Sequence, residues 1–519
     1  MKGNLIKYIA SALICVCLML MAITERSVFL YAVIGISILF ILRPEVVFTA
    51  YFISSLSGGY FSVGSLGASR VLSVLLIVSL LLQWRKLSSI SRRLFFLELL
   101  ILLYSLFSCL LSITGEMSSF LIMLQCLLVT FLLQQAVKLD TELLTYLIII
   151  SSAIAIVMLG VHMIQDSALL FEERYSGVED TNTNKFAMMC AQLGAVMIGA
   201  FVYLTRRPLL HPRTGGTVPP ADRRHLSRRS KKQRLAQGRR LSEARADQQS
   251  GVQPPARRSG QHRPHGEQRR HPRRRLRRYL LGHRGDGALM NKLIKNSSLA
   301  IYAISIVIIV LSGSRSALIG LLVASLFVVF FTQTGGVKKA ILPVALIALV
   351  GVGLVYFFSS IDSPILERFT LNDVMDDGGS GRLYYARQIY DEVILRHPFF
   401  GVGMGGQNVM ALGIEKQAHN IVIDPVSQLG IVGFVIYLCF IVPIIVRALK
   451  LRNKNPFIII PLTLFFTGLF NGIGEVVFYE KLFWNSIALC ALVVSQSSIK
   501  KRRIVVVGNS LTKQDGEQV

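Results

Sequence analysis

Continuous apolar runs of about 20 residues, nearly free of charge, recur in this chain from its first residues almost to its end. A helix rising about 1.5 Å per residue needs a run of that length to cross a hydrocarbon layer about 30 Å thick. Inside such a layer no water is available to satisfy backbone donors and acceptors, so the runs must fold as helices. The expected fold is therefore an all-α polytopic membrane protein of about 12–14 transmembrane helices with one large extracytoplasmic loop. The composition agrees, with 52% hydrophobic residues and a mean hydropathy of +0.55.

Spans are expected at about 5–23, 27–42, 45–58, 70–84, 93–113, 118–137, 143–163, 185–204, 295–311, 315–333, 339–358, 426–447, 456–474 and 477–496. The third and fourth are short. Lys2 and Lys7 precede the first run without a small-residue cleavage site, which reads as a first span rather than a removed signal. All seven cysteines sit inside apolar runs and none has a metal or redox spacing, so they are expected as small core residues.

Alternating the spans from a cytoplasmic N-terminus puts Arg43, "RKLSSISRR" (85–93), Lys138, the basic stretch from Arg206, "KK" (338–339), "RALKLRNK" (447–454) and "KKRR" (500–503) on one side. The other side receives "TER", "GEM", "FEERYSGVEDTNTN", "SGS" and a long loop. Lys and Arg gather on one face, as the positive-inside rule requires, with both termini cytoplasmic. The resulting division is 1–204 N-terminal helices, 205–292 a basic cytoplasmic segment, 293–358 further helices, 359–425 the large outer loop, 426–498 C-terminal helices and 499–519 a cytoplasmic tail.

Residues 205–290 stand apart. Stretches such as "RRHLSRRSKKQRLAQGRR" contain neither Ile nor Phe, and the window carries +19 of the formal net charge of +27. A segment of that composition cannot bury a core and is expected to be disordered. It reads as a foreign or out-of-frame insertion, a solvated linker, or a basic tail for anionic lipid or nucleic acid. Its Arg-for-Lys usage breaks off abruptly at "MNKLIKNSS".

The outer loop is too long for a simple connector. A helix is expected from Ser380 to about Arg396, with Leu383, Ala386, Ile389, Tyr390, Val393 and Ile394 as its apolar stripe and His397–Pro398 as its stop. "GVGMGG" (401–406) follows as a flexible turn; no strand precedes it, so it is not a dinucleotide fingerprint. His419 and Asn420 come next, at the entrance to a hydrophobic helix. On its own His419 reads as a surface histidine, with Asn420 a helix cap.

Three outer arginines change that balance: Arg174 in "ERYSGVEDTNTN", Arg315 in "LSGSRSAL" and Arg382 in "GSGR". An arginine at a membrane edge can simply snorkel. Arg315 instead faces against the charge bias, between two helices with almost no loop. Guanidinium grips phosphate oxygens in a forked geometry and keeps its charge, while a nearby histidine can take a hydroxyl proton near neutral pH. Asp373, Asp376, Asp377, Glu179 and Asp180 offer a rival reading as metal ligands.

These residues resemble the O-antigen ligase and surface polysaccharide polymerase superfamily. His419–Asn420, nine residues, then Gly430-x-x-Gly433 matches its His-Asn…Gly-x-x-Gly pattern. "RYSGVEDTNTNKFA" resembles its Arg-x-x-Gly…Asn element, "LSGSRSALIGLL" its Ser-Arg helix start, and "SGRLYYARQIYDEVILRHPFFGVGMGG" the run into its large loop. The resemblance covers about 170–204 and 295–435; the family lacks a counterpart of 205–290.

The resemblance implies a C-type glycosyltransferase fold in the bacterial inner membrane, with the site on its outer face. It implies a metal-independent transfer, without cofactor, from an undecaprenyl-pyrophosphate-linked oligosaccharide donor to a glycan or lipid-linked acceptor. Arg174 and Arg315 would hold the pyrophosphate, His419 would activate the acceptor hydroxyl, and Arg382 would support. Asn420, Gln407, Tyr385 and the neighbouring Tyr384 are candidate substrate contacts by position. Membrane lipids, a flippase and a chain-length regulator are candidate partners; nucleic acid is not expected. A transporter would need ionisable residues deep in its spans, and these spans hold almost none.

Overall fold

The computed structural model describes residues 2–24, 26–56, 62–63, 66–83, 92–115, 117–136, 139–165, 183–210, 273–332, 381–405 and 407–514. The described residues are almost wholly helical. In chain order the helices are α1 (Lys2–Thr24), α2 (Val28–Leu39), α3 (Pro44–Ser54), α4 (Ala68–Leu82), α5 (Arg92–Leu110), α6 (Met117–Gln135), α7 (Thr141–Gln165), α8 (Thr183–Leu210), α9 (Arg273–Leu311), α10 (Arg315–Thr332), α11 (Arg382–Ile389), α12 (Gln407–Ala411), α13 (Ile423–Leu451), α14 (Ile459–Asn471) and α15 (Lys481–Gln514). A two-residue antiparallel pair, Ser62–Val63 with Leu66–Gly67, precedes α4.

Among the described residues six helices are long and apolar enough to cross a membrane: Asn4–Thr24, Met117–Gln135, Thr141–Gln165, Thr183–Arg206, Lys292–Leu311 and Ile423–Leu451. Five shorter apolar helices accompany them. Every expected span that falls on described residues is a helix; 339–358 lies outside them. The segment expected at 45–58 is α3, whose 11 residues are all buried. At about 1.5 Å per residue those 11 residues reach about half the hydrocarbon thickness. Six cysteines are buried as expected, while Cys439 is exposed on α13. Large apolar side chains such as Leu5, Ile6, Tyr31 and Leu103 face outward, as a lipid-facing surface requires.

The chain divides into two compact units, Met1–Arg206 with Lys292–Val519, and Arg207–Asn291. Within the second unit residues 207–210 and 273–291 are helical, and residues 211–272, where most of the expected disordered segment falls, lie outside the described part.

The described loop between α10 and α13 has its own small core. Ile389, Val393, Val402, Val409, Ile414 and Ala418 are buried together. The expected single helix is instead α11 followed by a π turn, Tyr390–Ile394. Gly381, in the left-handed region at φ 70°, precedes α11 without a side-chain cap, and Ser380 is outside the described residues. The stripe shifts accordingly: Ile389 and Val393 are buried, but Leu383 is 74% exposed.

The loop docks into a break in α13. Gly430 has φ 65° and ψ 179°, so the helix is interrupted there. The exposed carbonyls and amides are taken up by residues 398–405: Val402 N donates to Ser427 O at 3.0 Å, Gly403 N to Gln428 O at 3.0 Å, Ile431 N to Pro398 O at 2.9 Å and Val432 N to Phe399 O at 3.2 Å. Asn408 fastens the same segment to the end of α5, accepting from Ser112 Oγ at 2.9 Å and donating to Gly403 O at 2.7 Å. Residues 401–405 of this glycine run are thus a docked strap: a Cβ on Gly403 would stand 2.3 Å from Ser112 Cα.

Candidate functional site

The site is built where the loop that precedes α13 meets the turn between α14 and α15. Ile421 N donates to Gly472 O at 2.6 Å and pins the loop end to that turn. Asn420 Oδ1 accepts from Val422 N at 2.9 Å and Ile423 N at 3.2 Å, and Asp424 Oδ2 accepts from Asn420 N at 2.8 Å. This reciprocal arrangement caps the entrance to α13, so the Asn420 side-chain oxygen is committed to the fold.

His419 sits between two anchors, buried Ala418 in the loop core and the pinned Ile421. Its φ is +50°, and among the described residues it alone combines positive φ with a side chain. Such a conformation persists only where its surroundings enforce it. Its imidazole is 36% exposed, and Nδ1 is buried, 3.7 Å from Glu475 Oε2. Glu475, 7% exposed, binds Arg382 through Oε1 at 2.8 Å.

Arg382 begins α11 and leans over the same turn. A Cβ on Gly474 would stand 2.9 Å from Arg382 Nη1 and 3.0 Å from Ser316 Cβ. Ser316 follows Arg315 at the start of α10. The structure therefore brings together Arg382, His419 and the helix start that carries Arg315. Lys185, at the start of α8, is close enough to act electrostatically on His419, Glu475 and Glu480. The first turns of α8, α10 and α13 all lie at this end, and helix N-termini favour bound anions.

Burial lowers the His419 pKa from its ordinary value, and Arg382, Lys185 and Lys416 lower it further. Both effects favour the neutral imidazole, the form that can accept a proton. Burial raises the Glu475 pKa, offset by Arg382 and Lys185. The opposite ends of α8 and α13 hold a different population: Arg206, Arg447, Lys450, Arg452 and Lys454, with Arg206 Nη1 donating to Arg452 O at 3.1 Å.

Arg174, Glu179, Asp180, Asp373, Asp376 and Asp377 lie outside the described residues. Gln407 is exposed at the start of α12. Tyr385 belongs to the loop core; its hydroxyl donates to Glu415 at 3.3 Å and Lys416 lies 5.8 Å from its ring centre. Neither contact joins it to His419. Among the described residues, no three or more His, Cys, Asp or Glu gather as metal ligands. Sequence reasoning missed Lys185 and Glu475. Lys185 stood inside the quoted "TNTNKFA", and Glu475 inside "NGIGEVVFYEK", an acidic residue between two apolar runs.

No curated protein and no solved structure matches the chain. The family model described as O-antigen ligase matches residues 300–438. The match takes in Arg315, Arg382, His419 and the Gly430 break, and stops short of Glu475. Members of that family are glycosyltransferase-like enzymes. This multi-pass membrane chain thus carries, over residues 300–438, a domain similar to the O-antigen ligase family, with that domain's arginines and histidine drawn to one end of the bundle, and the match supports a place in the O-antigen ligase-related superfamily.

Proposed function

We propose that this protein is a membrane glycosyltransferase that moves a glycan from an undecaprenyl-pyrophosphate carrier to an acceptor hydroxyl during surface polysaccharide assembly. The observation that carries the reading is the meeting of His419, Arg382 and the Arg315–Ser316 helix start around the turn at Gly474. Nδ1 of His419 faces protein, which leaves Nε2 for substrate. In the reaction Nε2 takes the acceptor's proton, the acceptor oxygen bonds the anomeric carbon, and the bond from that carbon to pyrophosphate breaks. The departing charge is received by Arg315 and Arg174, the chemistry in which preorganised cations contribute most. The carrier's lipid tail lies against the apolar helix faces, and the site end is the outer one, since the opposite ends of α8 and α13 carry the arginine and lysine excess.

Transfer onto a growing glycan, polymerisation, is the form we favour, because nothing in the chain reads as a contact to a core oligosaccharide. The alternative is ligation of a finished chain to lipid A core. A deletion strain separates them: a single capped unit with the ladder lost identifies a polymerase, and loss of all attached glycan a ligase. Retention of the full ladder overturns both. With purified protein and lipid-linked oligosaccharide, transfer should survive a chelator.

Arg315→Lys should lower transfer on the order of 100-fold although charge is kept, because an ammonium offers a point charge where the pyrophosphate needs a planar fork. The measurement is initial rate against donor concentration; a rate within a few-fold of the unsubstituted protein removes Arg315 from the site.

A further inference from the structure

Resting on the proposed transfer, we infer that Glu475 is a positioning residue for His419: its carboxylate, held by Arg382, takes the Nδ1 proton as a hydrogen bond and thereby presents a bare Nε2 to the acceptor hydroxyl. Glu475 lies in the turn between α14 and α15, beyond the residues that the family model matches.

Three features converge on this role. First, His419 Nδ1 is buried and has no hydrogen-bond partner among the described residues, and Glu475 Oε2 is the anionic atom it faces, at 3.7 Å. A buried ring nitrogen without a partner is costly, and its proton is the group a carboxylate satisfies. The separation exceeds a hydrogen bond, as such contacts often do before substrate binds, and closes by less than about 1 Å to reach one. Second, the two carboxylate oxygens are divided: Oε1 accepts from Arg382 at 2.8 Å, and Oε2 is turned to His419. Third, both partners are held by backbone. His419 is pinned at φ +50° between Ala418 and Ile421, and Ile421 is bonded to Gly472, in the same turn as Glu475.

The wider charge field agrees. Arg382 from α11, Lys185 from α8 and Lys416 from the loop surround His419, while Asp424 from α13 and Glu480 from the same turn interact with Glu475. Three cations make a proton on the imidazole unfavourable. Among the described residues, Glu475 supplies the opposing charge in contact range, so it sets which nitrogen carries the hydrogen and steadies the imidazolium as it forms.

Glu475→Gln gives a specific expectation. Arg382 has only donors, so it claims the amide oxygen, and the amide NH2 then faces Nδ1. Nδ1 must become an acceptor, which moves the hydrogen to Nε2, the wrong nitrogen for catalysis. Transfer turnover should fall about 100-fold or more with donor KM changed less than about twofold. Nitrogen NMR of 15N-histidine-labelled protein in lipid, with the His419 signals assigned by their loss in His419→Ala, should show the Nδ1–H form in the unsubstituted protein and the Nε2–H form in E475Q. Glu475→Asp keeps the charge and should restore the Nδ1–H form with at least part of the turnover.

Turnover of E475Q within about threefold of the unsubstituted protein, or an Nε2–H form already present before substitution, overturns the inference while leaving the transferase reading in place. Undiminished transfer by His419→Ala overturns the transferase reading itself. Should E475Q fail to accumulate in membranes, the tautomer in the unsubstituted protein and in E475D still decides the matter.

Discussion

Replacing His419 with alanine should lower glycan transfer by about 10²–10⁴-fold, the usual contribution of a positioned general base, with membrane insertion intact. The substitution removes a 36%-exposed imidazole from a loop end whose backbone is fixed independently, by the Ile421–Gly472 hydrogen bond and the Asn420 cap. Little packing is lost. His419→Gly sharpens the test: glycine relieves the strain of φ +50°, so this variant should melt at or above the temperature of the unsubstituted protein and still fail in transfer. Strain kept at a working residue is removed together with its function. The assay is single-turnover transfer from lipid-linked oligosaccharide by detergent-purified protein, beside a thermal melt. A normal rate in either variant would falsify the assignment of His419 as the base.

Gly430→Ala should destabilise the end of the molecule that carries the loop core far more than the same methyl added at Gly35. The backbone at φ 65° and ψ 179° lies in a region that is essentially glycine's alone, costing on the order of 1–3 kcal/mol for any other residue. The new Cβ would also stand 2.2 Å from Phe399 O, a backbone atom that cannot swing aside. Relieving that clash means separating the strap 398–405 from the break in α13, and with it four backbone hydrogen bonds. Gly35→Ala is the control: it lies within α2 with nothing inside 4 Å of its Cβ, and alanine should there be neutral to stabilising. Limited proteolysis of the loop and a melt in detergent would show the difference. Equal melting temperatures for the two variants would mean that the strap and the broken helix are not coupled as described.

The two glycines of the Gly-x-x-Gly pattern thereby acquire separate physical reasons. Gly430 permits the break that receives the strap. Gly433 admits Tyr104 of α5, whose ring carbon would lie 2.3 Å from a Cβ there and whose hydroxyl bonds Leu429 O at 2.5 Å. Neither reason can be read from spacing, because both depend on segments distant in the chain meeting in space.

What the sequence determined by itself was the class of fold and the order of its helices. Apolar runs without charge have one stable conformation in lipid, and that constraint is local, so thirteen expected spans appear as helices from their own residues alone. It also determined that a histidine and arginines stand at helix entrances, since an ionisable residue beside an apolar run is conspicuous in a chain where such residues are rare. The tertiary structure decided which of these residues meet. It wrapped the loop before α13 around its own small core, broke α13 at Gly430, buried α3, and placed Glu475 behind His419 with Arg382 across from it. The reason is that lipid fixes helices by solvation, a property of each segment, whereas convergence of side chains is set by long-range packing and backbone pairing, whose terms are shared between segments distant in the chain.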